Sequence, residues 1–90
     1  MKHWANFYKS LSDPIRLKIL GFLIKKGETC VCDVMTELNV PQSKLSYHIK
    51  LLHDAGLLNV KKKGKWNYYS INMDQLLLKV HPDFIKHLQE

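Results

Sequence analysis

Cys30 and Cys32 stand one residue apart in the stretch GETCVCDVM, and they are the only thiols in a chain of 90 residues. In a reducing compartment, a pair at this spacing points to soft-metal or redox chemistry rather than to a structural disulfide. The two positions flank the apolar stripe Val31, Val34, Met35 and Leu38 instead of lying on it, unlike ordinary core cysteines. On an ideal helix they are about 200° apart at 100° per residue, so both sulfurs reach one small centre only if the first turn unwinds or begins later. Thiolates select soft or borderline ions over Mg and Ca, and trivalent arsenic or antimony, Cd and Zn are candidate ligands. A redox reading of the same pair favours an intermolecular bridge or a sulfenic acid, because a disulfide at C-x-C spacing is expected to be strained.

The second chemistry is electrostatic. The net charge is +6, and residues 41–72 hold Lys44, Lys50, Lys61, Lys62, Lys63 and Lys65 against Asp54 alone, six less one or +5 of that total. A basic block beside a helix is the footprint of a polyanion binder. Catalysis has no comparable support: there is no glycine-rich phosphate loop, no Ser-His-Asp arrangement on a suitable scaffold, and the acids are few and scattered. The chain reads as a non-enzyme.

The elements that must position these groups follow from periodicity. Trp4, Phe7, Tyr8 and Leu11 recur at helical spacing and predict a short helix over about 3–11. SDPIRLKILGFLIKKG predicts a second helix, capped by Ser12 or Asp13, opened by Pro14 and stopped at Gly27. The stripe from Val31 to Leu38, the break NVPQ and the segment SKLSYHIKLLHDAG make a helix-turn-helix over about 30–55. In its second helix Leu45, Ile49, Leu52 and Ala55 form the buried arc, and Ser43, Ser46, Tyr47 and Lys50 project opposite as base-edge readers. Gln42 and Lys44 at its start are placed to hold phosphates, with Gln42 also suited to adenine.

After Gly56 the period becomes extended, and LLNVKKKGKWNYYSIN predicts a β-hairpin over about 57–71 whose tip carries Lys61, Lys62, Lys63 and Lys65. These lysines are expected on DNA backbone or minor groove. A capping-box pattern at Asn72 and Gln75 opens a last helix over about 73–88, which Pro82 should kink or split. The expected fold is α+β, mostly α: a single winged helix-turn-helix domain over 1–90 in the order α-α-α-α-β-β-α.

Ninety residues cover only about two thirds of the surface their unfolded chain exposes. The apolar faces of the terminal helices are therefore expected to meet a second copy in a twofold homodimer, through Trp4, Phe7, Tyr8, Leu76, Leu77, Val80, Phe84 and Leu88. The longest apolar stretch, Ile19 to Ile24, is far short of a membrane span, and the first ten residues lack a signal-peptide core. A cytoplasmic protein with no membrane partner is expected.

Together SDPIRLKIL, PQSKLSYHIKLLHDAGLL, KKKGKWNYYSIN and TCVCDVM resemble the second helix, recognition helix, wing and thiolate segment of the arsenic-responsive branch of the ArsR/SmtB family of metal-sensing repressors, over nearly the whole chain. The resemblance implies a dimeric repressor of double-stranded operator DNA, released when a thiophilic metal or metalloid binds Cys30 and Cys32, with no cofactor required for folding. It also matches His48 to a frequent family histidine, which here falls toward the buried side and reads as a structural hydrogen-bonder. Where the best-known arsenic pattern has a third cysteine, this chain has Met35. Zinc sensors of the family use D-x-H and H-x-x-E on the last helix; Asp74, His87 and Glu90 match, Leu76 replaces one histidine, and the site reads as degenerate. Two alternatives remain open: the same repressor with a cysteine redox switch, and a winged-helix module for protein or RNA partners without metal response.

Overall fold

Asp13 and Gly27 bracket the first long helix as their types require. The Asp13 carboxylate accepts the backbone N–H of Ile15 at 2.8 Å and of Arg16 at 3.3 Å, and Pro14 occupies the first turn, where no N–H is needed. The computed structural model describes residues 2–80 with Asp83, Lys86 and Leu88, apart from the side chains of residues 2–4, 6, 78 and 79. The elements are α1 (Lys2–Ser10), α2 (Pro14–Lys26), β1 (Thr29–Cys30), α3 (Val31–Leu38), α4 (Gln42–Asp54), β2 (Leu58–Lys63), β3 (Trp66–Ile71) and α5 (Met73–Lys79). In this order α3 and α4 form a helix-turn-helix, and β2 and β3 form the hairpin that follows it.

Two features differ from expectation. A short strand, β1, precedes α3 and pairs antiparallel with β3, giving a three-stranded sheet of order β1-β3-β2. Two residues carry too little period to announce a strand, and only the exposed edge of β3 recruits them. The last helical stretch is interrupted near Pro82, where a split was expected: Asn72 caps α5 by accepting the Gln75 N–H at 3.4 Å, Val80 ends it in extended backbone, and Asp83, Lys86 and Leu88 are helical again. The second difference is that Phe7 and Leu76 are fully buried within their own chain, which corrects their assignment to an interface between copies.

The core lies where α1, α2, α3, α4, α5 and the base of the hairpin converge. Ile19, Leu20 and Leu23 from α2 pack with Val34, Leu45, Ile49 and Leu52 from the helix-turn-helix, closed by Leu57, Leu58 and Ile71. Each such side chain contributes about 1.5–3 kcal/mol on full burial. At the edge of the core Gly21 faces the main chain of Leu88, whose carbonyl occupies the space a Cβ would need. Of the other residues expected at an interface, Tyr8 and Leu77 are 55% and 54% exposed, and Val80 and Leu88 are half-buried against the core. The Trp4 side chain and Phe84 lie outside the described residues.

The hairpin turns at Gly64, whose φ of 62° suits the first position of a two-residue turn. Its register places Lys62 opposite Asn67 and Val60 opposite Tyr69 on one face, and Lys61 opposite Tyr68 and Lys63 opposite Trp66 on the other. The lysine tip is therefore two-sided.

Candidate functional site

The cysteines come together because the helix begins after the first of them. Cys30 is extended, with φ −62° and ψ 141°, and serves as N-cap of α3; its sulfur accepts the Cys32 backbone N–H at 3.3 Å. The two Cα atoms are 5.2 Å apart and the sulfurs are joined in a disulfide. The 200° separation applies to a continuous helix, and here it is replaced by convergence at the β1–α3 junction. No unwinding of α3 is needed to bring both sulfurs to one point. The pairing is within one chain, where the C-x-C spacing led to the expectation of an intermolecular bridge or a sulfenic acid.

Cys30 is 4% exposed and stands opposite Tyr68 in the β1–β3 ladder. Met35 packs against the core, so it belongs to the apolar stripe and not to the sulfur pair. Among the described residues no group of three or more His, Cys, Asp or Glu side chains is placed to hold a metal ion. Asp74 is exposed on α5, while His87 and Glu90 lie outside the described residues.

Every expected DNA-reading residue of α4 faces outward. Gln42, Ser43, Lys44, Ser46, Tyr47 and Lys50 are exposed, while Leu45, His48, Ile49 and Leu52 are buried. Tyr47 is 60% exposed, its ring meeting the His48 ring edge-on, and Lys50 pairs with Asp54 one turn on at 3.1 Å. Of the wing lysines, Lys61, Lys62, Lys63 and Lys65 are all exposed, but their surroundings differ. Lys63 forms an ion pair with Glu28 and lies 4.9 Å from the Tyr68 ring centre; Lys65 lies 6.0 Å from that of Trp66. The hydrogen bond from Lys63 holds the Glu28 carboxyl below its usual range, and Glu28 in turn raises the Lys63 ammonium.

The recognition helix is anchored from behind by a residue that periodicity passed over. Arg16 is buried, its Nε donating to the Ser10 carbonyl at 2.8 Å, its Nη2 to the Lys9 carbonyl at 3.2 Å, and its Nη1 lying 2.9 Å from His48 Nδ1. One guanidinium thus ties the end of α1 to the buried face of α4. The signal was present: Arg16 takes the first place of the i, i+3, i+4, i+7 series Arg16, Ile19, Leu20 and Leu23. Burial depresses the His48 imidazole, Arg16 and Lys44 add to that, and Asp13, 4.0 Å away, opposes it. For Asp13 burial opposes ionisation, but the N–H groups of Ile15 and Arg16 and the charges of His48 and Arg16 outweigh it and hold the carboxyl below its usual range. Glu28 had no comparable signal, since its partner is 35 residues away.

A helix-turn-helix with an exposed polar face, backed by a buried arginine and followed by a lysine-tipped hairpin, defines a winged-helix DNA-binding domain. Residues 13–60 match the family described as bacterial regulatory protein, arsR family. The chain is 42% identical over 76 residues, 84% of its length and 72% of the relative's, to the arsenical resistance operon repressor of Bacillus subtilis. It is 36% identical over 81 residues, 90% of its length and 67% of the relative's, to a cadmium resistance transcriptional regulatory protein, the CadC homolog of Staphylococcus aureus. Its fold is that of the homodimeric winged helix-turn-helix DNA-binding domain Mb0332 from Mycobacterium bovis, with a TM-score of 0.73, 24% identity, and coverage of 97% of this chain and 72% of that one. The chain belongs to the arsR family of bacterial regulatory proteins; it is a transcriptional regulator and not an enzyme. Among the described residues no helix is long and apolar enough to cross a membrane.

Proposed function

We propose that this protein is a cytoplasmic, homodimeric repressor that holds operator DNA and leaves it when a thiophilic metal or metalloid binds Cys30 and Cys32. The observation that carries this reading is the convergence of the two sulfurs at the junction of β1 and α3. Once reduced, that pair offers two thiolates to one soft centre and suits As(III), Sb(III), Cd or Zn better than a hard ion. The names of the relatives, an arsenical resistance repressor and a cadmium resistance regulator, support the same ligand class.

The junction has two routes to the DNA face. Cys30 is a rung of the ladder with Tyr68 on β3, and α3 leads through a short turn into α4. A ligand that displaces Cys30 pulls on the wing through the sheet and on the recognition helix through the turn. A differential affinity of about 1–3 kcal/mol between the two arrangements weakens DNA binding roughly 5- to 150-fold. Gln42 and Lys44 hold backbone, Ser43, Ser46, Tyr47 and Lys50 face the bases, and the wing lysines add affinity with little sequence information. The dimer forms through α1 and α5, on which Tyr8, Met73 and Leu77 are exposed.

The test is fluorescence anisotropy of DNA from immediately upstream of the protein's own gene, bound by reduced protein at fixed salt and titrated with arsenite. Release from wild type but not from the Cys30→Ser/Cys32→Ser variant is expected. Equal release from both, or from neither, counts against the cysteine pair as the arsenite site. No binding of that duplex moves the weight to a protein- or RNA-interaction module.

The disulfide between Cys30 and Cys32 favours a second reading, in which oxidation of the pair sets the state. Hydrogen peroxide, reduced to water as the two thiols become the disulfide, then releases DNA without any metal.

A further inference from the structure

Trivalent arsenic forms three bonds, and this chain supplies two sulfurs. Met35, the neighbouring sulfur, is a thioether packed against the core, and no cluster of three ligating side chains gathers among the described residues. Among the described residues none stands beside the pair as a third ligand, which leaves that position open to one from outside the chain. Beside the pair lies a cleft of about 470 Å³ between α2, α3 and β3, within the size range of small-molecule sites. Cys30 lines it directly, Phe22 and Tyr68 supply apolar wall, and Lys26 brings an ammonium beside the carboxylates of Asp33, Glu37 and Glu28, the last of them paired with Lys63. Groups of both signs beside a soft centre match a thiol that carries its own amino and carboxylate groups.

We infer that the metalloid complex at Cys30 and Cys32 is ternary, completed by a small zwitterionic thiol seated in this cleft. The inference rests on the cysteine pair being the metalloid site. Arsenous acid loses two waters as the two cysteine thiols each give up a proton and form As–S bonds. The remaining As–OH then exchanges with the incoming thiol, whose proton leaves with the hydroxyl as a third water. Arsenic stays trivalent throughout. Two equivalents of the same thiol open the Cys30–Cys32 disulfide beforehand, ending as their own disulfide while the cysteines are reduced.

X-ray absorption at the arsenic edge decides this. Reduced protein freed of small thiols and loaded with one equivalent of arsenite is expected to show two sulfurs and one oxygen, and to show three sulfurs once reduced glutathione is added. Neutral 2-mercaptoethanol should require a concentration about tenfold higher to give the same spectrum, the equivalent of ~1.4 kcal/mol of cleft contacts. Lys26→Glu should raise the glutathione requirement about fivefold, a surface-charge effect, while leaving the two-sulfur loading intact. A site that keeps its oxygen at saturating glutathione overturns the ternary complex while leaving the cysteine pair as the arsenic site. Equal requirements for both thiols overturn the role of the cleft. Failure to load arsenic on the reduced pair overturns the underlying site itself.

Discussion

Cys30 lies directly opposite Tyr68 across the antiparallel register of β1 and β3, so a residue that carries one of the two thiols is also a rung of the wing. Beside it Glu28, one residue before β1, holds Lys63 near the hairpin tip. Whatever moves the β1–α3 junction is therefore transmitted to the wing through backbone hydrogen bonds and one ion pair.

The two faces of the hairpin make its lysines unequal. Lys62→Ala is expected to weaken binding to operator and random DNA alike and to reduce the slope of log K against log salt by about 0.9, the release of roughly one phosphate counterion. Lys63→Ala should reduce it less, because Glu28 already neutralises that ammonium. Anisotropy titrations at four salt concentrations check both, and an unchanged slope for Lys62→Ala removes the wing from the DNA interface.

Glu28→Gln should act in the opposite direction. With its partner neutral, Lys63 becomes available to phosphate, so affinity for any duplex rises at low salt and the slope steepens. The same variant should blunt the release of DNA by arsenite, since one of the two links from β1 to the wing is gone. Parallel arsenite titrations of wild type and variant at matched initial saturation read the effect.

Ser46→Ala and Tyr47→Ala should lower preference for operator over random sequence with little change in salt slope, because neither group carries charge. A bidentate base contact is worth about 1–3 kcal/mol of discrimination, so each single hydroxyl contact is expected to cost about 1 kcal/mol. Competition between operator and scrambled duplex measures it.

His48 makes stability depend on pH in a definite direction. Its imidazole is held below the ordinary value of 6.5, chiefly by burial, so below neutrality the unfolded chain binds a proton that the folded chain resists. Its neutral form is then favoured in the fold: its contribution is fully present above about pH 6.5 and is lost as pH falls through the folded value. A protonated Nδ1 can no longer accept from Arg16. Urea midpoints from pH 7.5 to 5 should fall for wild type, and His48→Gln should flatten that decline while lowering stability at pH 7.5 by about 1–3 kcal/mol.

Gly21→Ala tests the docking of the segment after α5. In an open helix the change is favourable by about 1 kcal/mol. Here the new methyl collides with the Leu88 carbonyl, and net destabilisation of about 1–3 kcal/mol is expected. A raised melting temperature would show that Leu88 does not rest on α2.

Much of this architecture was legible in the residues. Asp13, Pro14 and Gly27 act locally as cap, first turn and stop, and Leu45, Ile49 and Leu52 declare their buried side through period alone. The exposed set on α4 follows as the complement of that arc. Arg16 was within reach, since a charge standing in an apolar series calls for partners; their identity depended on Ser10 and His48, which only folding brings to it.

The chain order alone determined a winged helix-turn-helix with its charge on one helix and one hairpin, because capping, helical period and strand period are properties of neighbours in sequence. It did not determine how the two cysteines meet. That depended on β3 offering a free edge to Thr29 and Cys30, which draws Cys30 out of the helix into extended backbone and turns two diverging positions into a converging pair. The burial of Phe7 and Leu76, the split of the wing lysines and the Glu28–Lys63 pair are of the same kind: each joins residues distant in sequence, and hydrogen-bond register or packing volume selects the partner.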